Sequence, residues 1–280
     1  MMRSGFVTLV GRPNVGKSSL VNALCGNKVS IVSPKPQTTR RRIRGIANGP
    51  DHQIVFVDTP GLHKPVTALG ERINETALSS VADVDVVCLV LDATKPFGRG
   101  DQWVADRLAM SEVIVVVNKC DAVSREGLLG YLASVAPLAA REYHPVSART
   151  GEGLERLRDT LVGLLPEGPA LYPADARSDT DELTWIAELV REQLLHETHD
   201  ELPHSIATRV VEHEWPRIRC EIVVERERQK GMVIGKGGSL LKRVGTKVRE
   251  QLPEGAYLEL FVVVDPNWQR RPERIERLGY

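Results

Sequence analysis

The stretch Gly11-Arg12-Pro13-Asn14-Val15-Gly16-Lys17-Ser18 constrains this chain more than any other. It follows the apolar run Phe6-Val7-Thr8-Leu9-Val10 and leads into a helical pattern from Ser19. At a strand-to-helix junction the spacing G-x-x-x-x-G-K-[ST] makes a phosphate cradle. Its glycines let backbone N–H groups converge on phosphate oxygens, and the next helix adds the positive end of its dipole. Gly11, Asn14, Val15, Gly16, Lys17, Ser18 and Ser19 are therefore candidate nucleotide contacts. Lys17 is placed to reach the β- and γ-phosphates, and the Ser18 hydroxyl to take Mg²⁺. The ligand implied is a nucleoside triphosphate.

Length and composition narrow the rest. With 280 residues, 42% of them hydrophobic, the chain has material for two modest domains with ordinary cores. Lys+Arg and Asp+Glu both number 37, so affinity for nucleic acid must come from a local basic patch. Cys25, Cys88, Cys120 and Cys220 form no C-x-x-C pair, which argues against a disulfide framework and a zinc site and suits a reducing, cytoplasmic setting. No apolar run reaches the roughly 18 residues of a membrane span, and the first residues pass directly into a strand pattern. Neither secretion nor membrane insertion is indicated.

Up to about residue 166, strand-like and helix-like segments alternate. Strands are expected over Gly5 to Val10, Ile43 to Ala47, Gln53 to Val57, Val84 to Leu91, Val113 to Val117 and Tyr143 to Val146. Several are nearly continuous β-branched runs, the pattern of strands buried on both faces. Helical periodicity marks Ser18 to Cys25, Glu71 to Val81, Asp101 to Met110, Ser124 to Ala136 and Leu154 to Leu164. The alternation predicts an α/β domain over residues 1–166 with a doubly wound, mostly parallel sheet, its ligand at the carboxyl ends of the strands.

Three short motifs fall at those strand ends. Asp58-Thr59-Pro60-Gly61 closes the third strand, giving a carboxylate for Mg²⁺ and a Gly61 N–H for a γ-phosphate oxygen. Asn118-Lys119-Cys120-Asp121 closes the fifth. Asp121 can accept from guanine N1–H and the exocyclic amine, whereas adenine offers no such donor pair and would leave the carboxylate unpaired. Ser147-Ala148-Arg149 closes the sixth, with backbone N–H groups to complete a base pocket.

Together, Gly11 to Ser18, Thr38/Thr39, Asp58 to Gly61, Asn118 to Asp121 and Ser147 to Arg149 resemble the five motifs of translation-factor-type P-loop GTPases. Ser33-Pro34-Lys35-Pro36-Gln37-Thr38-Thr39-Arg40 is similar to the first switch of the Era family, in which a threonine senses Mg²⁺ and the γ-phosphate. Thr38 and Thr39 both remain candidates, and the metal set implied is Ser18, Thr38, Thr39 and Asp58. Leu62 stands where Ras-like GTPases place a water-orienting glutamine, so slow intrinsic turnover is expected. Asn14 matches the asparagine with which similar GTPases hold K⁺, and the implied catalytic group is Lys17, Asn14, Thr39 and Gly61. His63 is expected to be a solvent-facing switch residue without a catalytic role. Arg40, Arg41, Arg42 and Arg44 form either the solvated face of an edge strand or a grip for RNA or a partner.

Residues 167–180, rich in Pro, Ala, Gly and Asp, carry no periodicity and suggest a linker. Residues 181–280 then give an amphipathic helix from Asp181 to Thr198, strands from His204 to Glu212 and Arg217 to Glu225, a glycine-interrupted helix pair and a strand from Tyr257 to Val264. This smaller α+β domain resembles the type II KH fold, with Gly235-Lys236-Gly237-Gly238 as its G-x-x-G loop. Without Cβ atoms a sugar-phosphate chain can lie on that backbone, and Lys230, Lys236, Lys242, Arg243 and Lys247 surround it with positive charge. Ile234, Ile222 and Val224 are candidates either for an apolar groove under the bases or for ordinary core packing. His196, His199, His204 and His213 lack ligand spacing and suggest surface positions. The Asn267 to Tyr280 tail resembles the Era-family C-terminus, while Lys247 to Tyr257 is shorter than that family's pattern.

The whole-chain resemblance implies a GTP-hydrolysing ribosome-assembly factor whose KH domain binds the 3′ end of small-subunit (16S) ribosomal RNA on the 30S subunit. Nucleotide state switches that binding, with GTP/GDP, Mg²⁺ and K⁺ as cofactors. It implies a cytoplasmic monomer without DNA partners, with peripheral association at the inner face of the cell membrane as a further option. Two alternatives belong to other classes: a ribonucleoprotein-binding module with structural nucleotide, and a GTPase signalling to a protein or membrane partner with the KH-like domain as docking platform.

Overall fold

Apolar residues on successive positions of a strand point to opposite faces, so a run such as Val113 to Val117 needs a core on each side. The computed structural model, which describes residues 2–63, 65, 67–198 and 202–280, provides both cores. Contacts divide the chain into two units, one chiefly of residues up to Asp179 and the other chiefly of Thr180–Tyr280.

The first unit contains β1 (Arg3–Val10), α1 (Lys17–Cys25), β2 (Ile43–Asn48), β3 (His52–Asp58), α2 (Ala68–Ala82), β4 (Val86–Asp92), α3 (Arg99–Ala105), β5 (Ile114–Asn118), α4 (Arg125–Val135), β6 (Glu142–Pro145) and α5 (Leu154–Leu164). The sheet order is β2-β3-β1-β4-β5-β6, with β2 antiparallel to β3 and the other neighbours parallel. Cys88, Val90, Ile114 and Val116 join one core with Leu20, Leu24, Leu157 and Leu161, from α1 and α5. Leu89, Leu91, Val115 and Val117 join the opposite core with Ala77, Val104 and Tyr131, from α2, α3 and α4. The strand order reverses about β1, which opens the loop after β1 at the crevice where such sheets take ligands. Register brings the polar strand ends to the same edge: Leu9 lies opposite Asp58, and Asp92 opposite Asn118.

α3 ends at Ala105, five residues before the expected Met110. The chain tightens there into i→i−3 bonds, Arg107 N–H to Val104 O (3.1 Å) and Leu108 N–H to Ala105 O (3.0 Å), while Leu108 still packs on the core. The run Arg40 to Arg44 is not one solvated face: Arg40 is only 3% exposed, and Arg44 pairs with Asp179 at 2.7 Å.

The stretch after α5 has no periodicity, yet its backbone is not idle. Gln53, fully buried, accepts from Leu171 N–H (2.7 Å) and Tyr172 N–H (2.8 Å) and donates to Tyr172 O (2.9 Å). Ile46 N–H donates to Arg177 O (2.9 Å), Ser178 Oγ to Arg44 O (2.8 Å) and Asn48 Nδ2 to Ala176 O (3.1 Å).

The second unit contains α6 (Glu182–Glu197), α7 (Leu202–Ser205), β7 (Ala207–Glu214), β8 (Arg217–Val224), α8 (Glu227–Ile234), α9 (Ser239–Arg249), β9 (Tyr257–Val264) and α10 (Pro272–Arg277). β8 is central, antiparallel to β7 and parallel to β9. His204 belongs to α7 instead of the expected strand. Pro203 suits the first turn of a helix, and buried Trp268 donates to Ser205 O at 3.0 Å, pinning the helix end. Leu240, Val244 and Val248, one helical face of α9, pack with Ile186, Leu189 and Val190 of α6 over Ile218, Cys220, Ile222 and Val224.

Candidate functional site

Phosphate loop geometry begins with backbone conformations that few residues accept. Asn14 sits at φ 65° and Gly16 at φ 98°, and a Cβ on Gly16 would lie 2.3 Å from Asn118 Nδ2. Glycine is thus required at position 16 both for its conformation and for the approach of Asn118. Lys17 opens α1 and folds its ammonium back over the loop, donating to Gly11 O (3.1 Å) and Arg12 O (3.0 Å). Burial lowers its pKa to about 8, against the pull of Asp58. A buried ammonium held by two carbonyls is poised for an anion, which would stabilise its charged form.

Asp58, the last residue of β3, is fully buried, and burial raises its pKa against the neighbouring Ser18, Ser30 and Thr39 hydroxyls and Lys17. Thr39 Oγ1 lies 2.8 Å from Ser18 Oγ and 3.4 Å from Asp58 Oδ2. Asp58 Oδ1 is buried with no hydrogen-bond partner, so one carboxylate oxygen is left for another ligand. Two hydroxyls and a carboxylate are hard oxygen donors, and they fit Mg²⁺, which takes few protein ligands together with substrate phosphates and water. Thr38 engages its hydroxyl elsewhere, 2.7 Å from Ser33 Oγ and 2.7 Å from Lys35 O. Geometry thus brings Thr39 to Ser18 and Asp58.

Asn118, 1% exposed, ties three motifs together: its Nδ2 donates to Val15 O (2.9 Å), and its Oδ1 accepts from Ala148 N–H (3.1 Å). Lys119, at φ 65°, donates to Asn14 O (2.9 Å) and pairs with Asp92 Oδ2 (2.6 Å). Burial would raise the Asp92 pKa, but hydrogen bonds from Lys119 and Thr94 hold it below the ordinary carboxylate value. Asp92 is a residue that motif reading missed. Its signal was present, an acid closing the apolar run of β4 just as Asp58 closes β3. Asp121 accepts from Arg149 through Nε (2.9 Å) and Nη2, while Ser147 follows β6 with its N–H on Glu152 O (2.9 Å).

Leu62 is 1% exposed and packs in the core with Val10 and Leu89, which removes it from water-positioning chemistry. His63 is half-buried instead of solvent-facing. Asn74 brackets its peptide, donating to His63 O (2.6 Å) and accepting from His63 N–H (3.4 Å), and the His63 Nδ1 lies 3.1 Å from Gly61 O.

In the second unit α8 ends at Ile234, and Gly235 (φ 74°), Gly237 (φ 61°) and Gly238 (φ 78°) turn the chain into α9. Nothing lies within 4 Å of a Cβ built on Gly237 or Gly238, so this turn faces open space. Lys236 and Lys242 are exposed and Lys230 is half-buried. Arg243 and Lys247 both pair with Glu197, at 3.0 Å and 2.7 Å, which partly commits their charge. Ile222 and Val224 are fully buried in the core and cannot underlie a base; Ile234 alone of the three is half-buried beside the loop. His196 is exposed and His204 and His213 half-buried; His199 lies outside the described residues.

Residues 6–119 match the family model described as a 50S ribosome-binding GTPase, and residues 201–269 match that of the KH domain. Over 292 residues the chain is 45% identical to the GTPase Era of Heliobacterium modesticaldum, covering 100% of this chain and 97% of that protein. The chain belongs to the Era family of GTPases. The Era of Mycobacterium tuberculosis strain H37Rv is 46% identical over 296 residues, with 99% of this chain and 98% of that protein covered. Two solved Era structures, each 38% identical, cover 100% of this chain and 99% of their own. One is an Aquifex aeolicus Era variant bound to GDP·AlF4⁻, with a TM-score of 0.95. The other is an Era in complex with MgGDPNP and nucleotides 1506–1542 of 16S ribosomal RNA, with a TM-score of 0.96.

Proposed function

We propose that this Era-family GTPase is a ribosome-assembly factor that grips the 3′ end of 16S ribosomal RNA with its KH domain and is switched by the GTP or GDP it carries. The observation that carries the reading is the turn at Gly235-Lys236-Gly237-Gly238, whose three glycines take positive φ and of which Gly237 and Gly238 open outward beside exposed lysines, while Gly235 packs against Leu240. A sugar-phosphate chain can approach such a backbone without meeting a side chain. The Era complex with 16S RNA nucleotides supports the choice of RNA.

In this reading residues 1–166 form the GTPase domain and residues 181–280 the KH domain. The N–H groups of Gly11 to Ser19 and the Lys17 ammonium hold the phosphates, and Gly61 N–H meets the γ-phosphate. Ser18, Thr39 and Asp58 hold Mg²⁺, which neutralises charge on the β- and γ-phosphate oxygens. Asn14 holds K⁺. Asp121 reads guanine while Asn118, Lys119 and the backbone of Ser147, Ala148 and Arg149 shape the pocket. Lys230, Ile234, Lys236 and Lys242 flank the RNA clamp. The family resemblance implies a monomer acting in the cytoplasm. Separately, among the described residues no helix is long and apolar enough to cross a membrane.

The test is binding of the full chain to a short single-stranded RNA from the 16S 3′ end, against a scrambled RNA, with a non-hydrolysable GTP analogue and then with GDP. Selective binding that depends on the nucleotide is expected, and Gly237→Asp with Gly238→Asp should abolish it while leaving GDP affinity intact. Equal weak binding under every condition refutes the RNA reading and turns the search to a protein or membrane partner.

A further inference from the structure

Asp121 is the residue on which guanine selection rests in the reading above, and its carboxylate is already engaged by a residue of its own pocket. Arg149 reaches back 28 positions and donates to Asp121 Oδ2 through Nε, at 2.9 Å, and through Nη2. The Asp121 side chain is 10% exposed and that of Arg149 76% exposed, so the carboxylate is recessed and the guanidinium lies over it from solvent. Ser147 and Arg149, by hydrogen bonding, hold the Asp121 carboxyl below its ordinary pKa. The acceptor is charged at neutral pH and bears a cationic partner.

The chemistry of that partner matters. One edge of a guanidinium offers two adjacent N–H donors in a plane. Guanine offers the same pair to a carboxylate through N1–H and its exocyclic amine. A lysine at this position would present a point charge on a flexible stem and no planar donor pair.

We infer that Arg149 is an internal guanine mimic: its side chain competes with the base for Asp121 and thereby weakens guanine-nucleotide binding and speeds release. The inference rests on Asp121 as the guanine acceptor. Both charge-assisted bonds of Arg149 end on Oδ2, one of the two oxygens that the carboxylate presents to guanine, so the neutral base must take that oxygen from the guanidinium. The phosphate contacts, made by the loop after β1, are untouched by this exchange. Because the guanidinium is mostly exposed, it is well hydrated when displaced, and exposed ion pairs of this kind are weak. The competition is therefore modest, tuning affinity without blocking the pocket. It is also ionic, so salt screens it.

The test measures dissociation of a fluorescent GDP from the full chain with Mg²⁺, comparing wild type, Arg149→Ala and Arg149→Lys at about 50 mM and about 500 mM salt. Arg149→Ala should release GDP about 1.5- to fivefold more slowly at low salt, the range of an exposed ion pair, with Arg149→Lys in between. The difference should shrink at high salt, which a purely structural role would not produce. Unchanged or faster release from Arg149→Ala overturns the inference, since Arg149 would then be neutral or a support for the base. IDP, which lacks the exocyclic amine, reports on the underlying reading separately. Wild-type protein that binds IDP as tightly as GDP removes Asp121 as the guanine reader, whereas preference for GDP with an unresponsive Arg149→Ala removes only the competition.

Discussion

Replacing Asn118 with alanine tests how the site is held together. Its amide makes one bond to Val15 O at 2.9 Å and one from Ala148 N–H at 3.1 Å, joining the phosphate loop to the turn after β6. The two losses are unequal. Val15 is 5% exposed, so its carbonyl is left buried without this donor, at a cost of about 1–3 kcal/mol. Ala148 is half-buried, so water can take its N–H, and the loss there is nearer the net value of one bond, about 0.5–1.5 kcal/mol. Together Asn118→Ala should cost about 2–4 kcal/mol. At about 2–4 °C per kcal/mol for a unit of this size, the melting point of the nucleotide-free first unit should fall by about 5–15 °C. Hydrogen exchange measured by mass spectrometry on the full chain locates the effect: peptides of β1 and β5 should lose protection and those of β8 and β9 should not. GDP affinity should fall as well, because the Asn118 amide holds the phosphate loop through Val15 O. A melting point lowered by less than about 2 °C, or equal loss of protection in β8, would refute this account of the site.

Three further outcomes follow from the same structure. The Lys17 pKa of about 8 lies below the unfolded value of 10.5, so the unfolded chain binds more protons between them and nucleotide-free stability should rise with pH across that window. Lys17→Met should flatten the rise in a pH series of denaturant melts and abolish nucleotide binding. Arg191, fully buried with Glu188 at 2% exposed, should cost about 3–5 kcal/mol when replaced by alanine. Pairing Arg191→Met with Glu188→Gln should recover much of that loss in urea melts, and full additivity of the two would show that the pair is not coupled. GTP turnover should be faster in K⁺ than in Na⁺ at equal ionic strength, and Asn14→Ala should erase the difference; equal rates for wild type would remove K⁺ from the site.

Strands and motifs were legible because they depend on local pattern. Apolar runs of β4 and β5 alternate between two cores, and the acids and amides that end them are conspicuous after so many valines. The phosphate loop, Asp58 and Asn118 stand where that pattern put them. What escaped depends on partners far along the chain. Nothing near Asp121 in sequence announces that Arg149 will hold it, and nothing in residues 166–179 announces that Gln53 will accept two of their N–H groups. Thr38 and Thr39 are equivalent as letters; only the reach of Ser18 and Asp58 to one hydroxyl separates them. Ile222 and Val224 looked available for a groove because period two does not say which face of a strand is covered, and α6 and α9 cover theirs.

The stretch that runs along β2 has a consequence for solubility. β2 ends its sheet, and an end strand ordinarily exposes a row of unmatched N–H and C=O groups that can recruit a strand from another molecule. Here Gly45 bridges to Ser178 in antiparallel fashion, Ile46 N–H is taken by Arg177 O, and the ion pair of Arg44 with Asp179 fastens the end. The opposite border, β6, is only four residues long. A sheet of six strands is thereby left with no long open border. Proteolytic cutting or shortening of residues 170–179 would uncover one beside the apolar strand β3, converting a benign surface segment into the step that starts self-association.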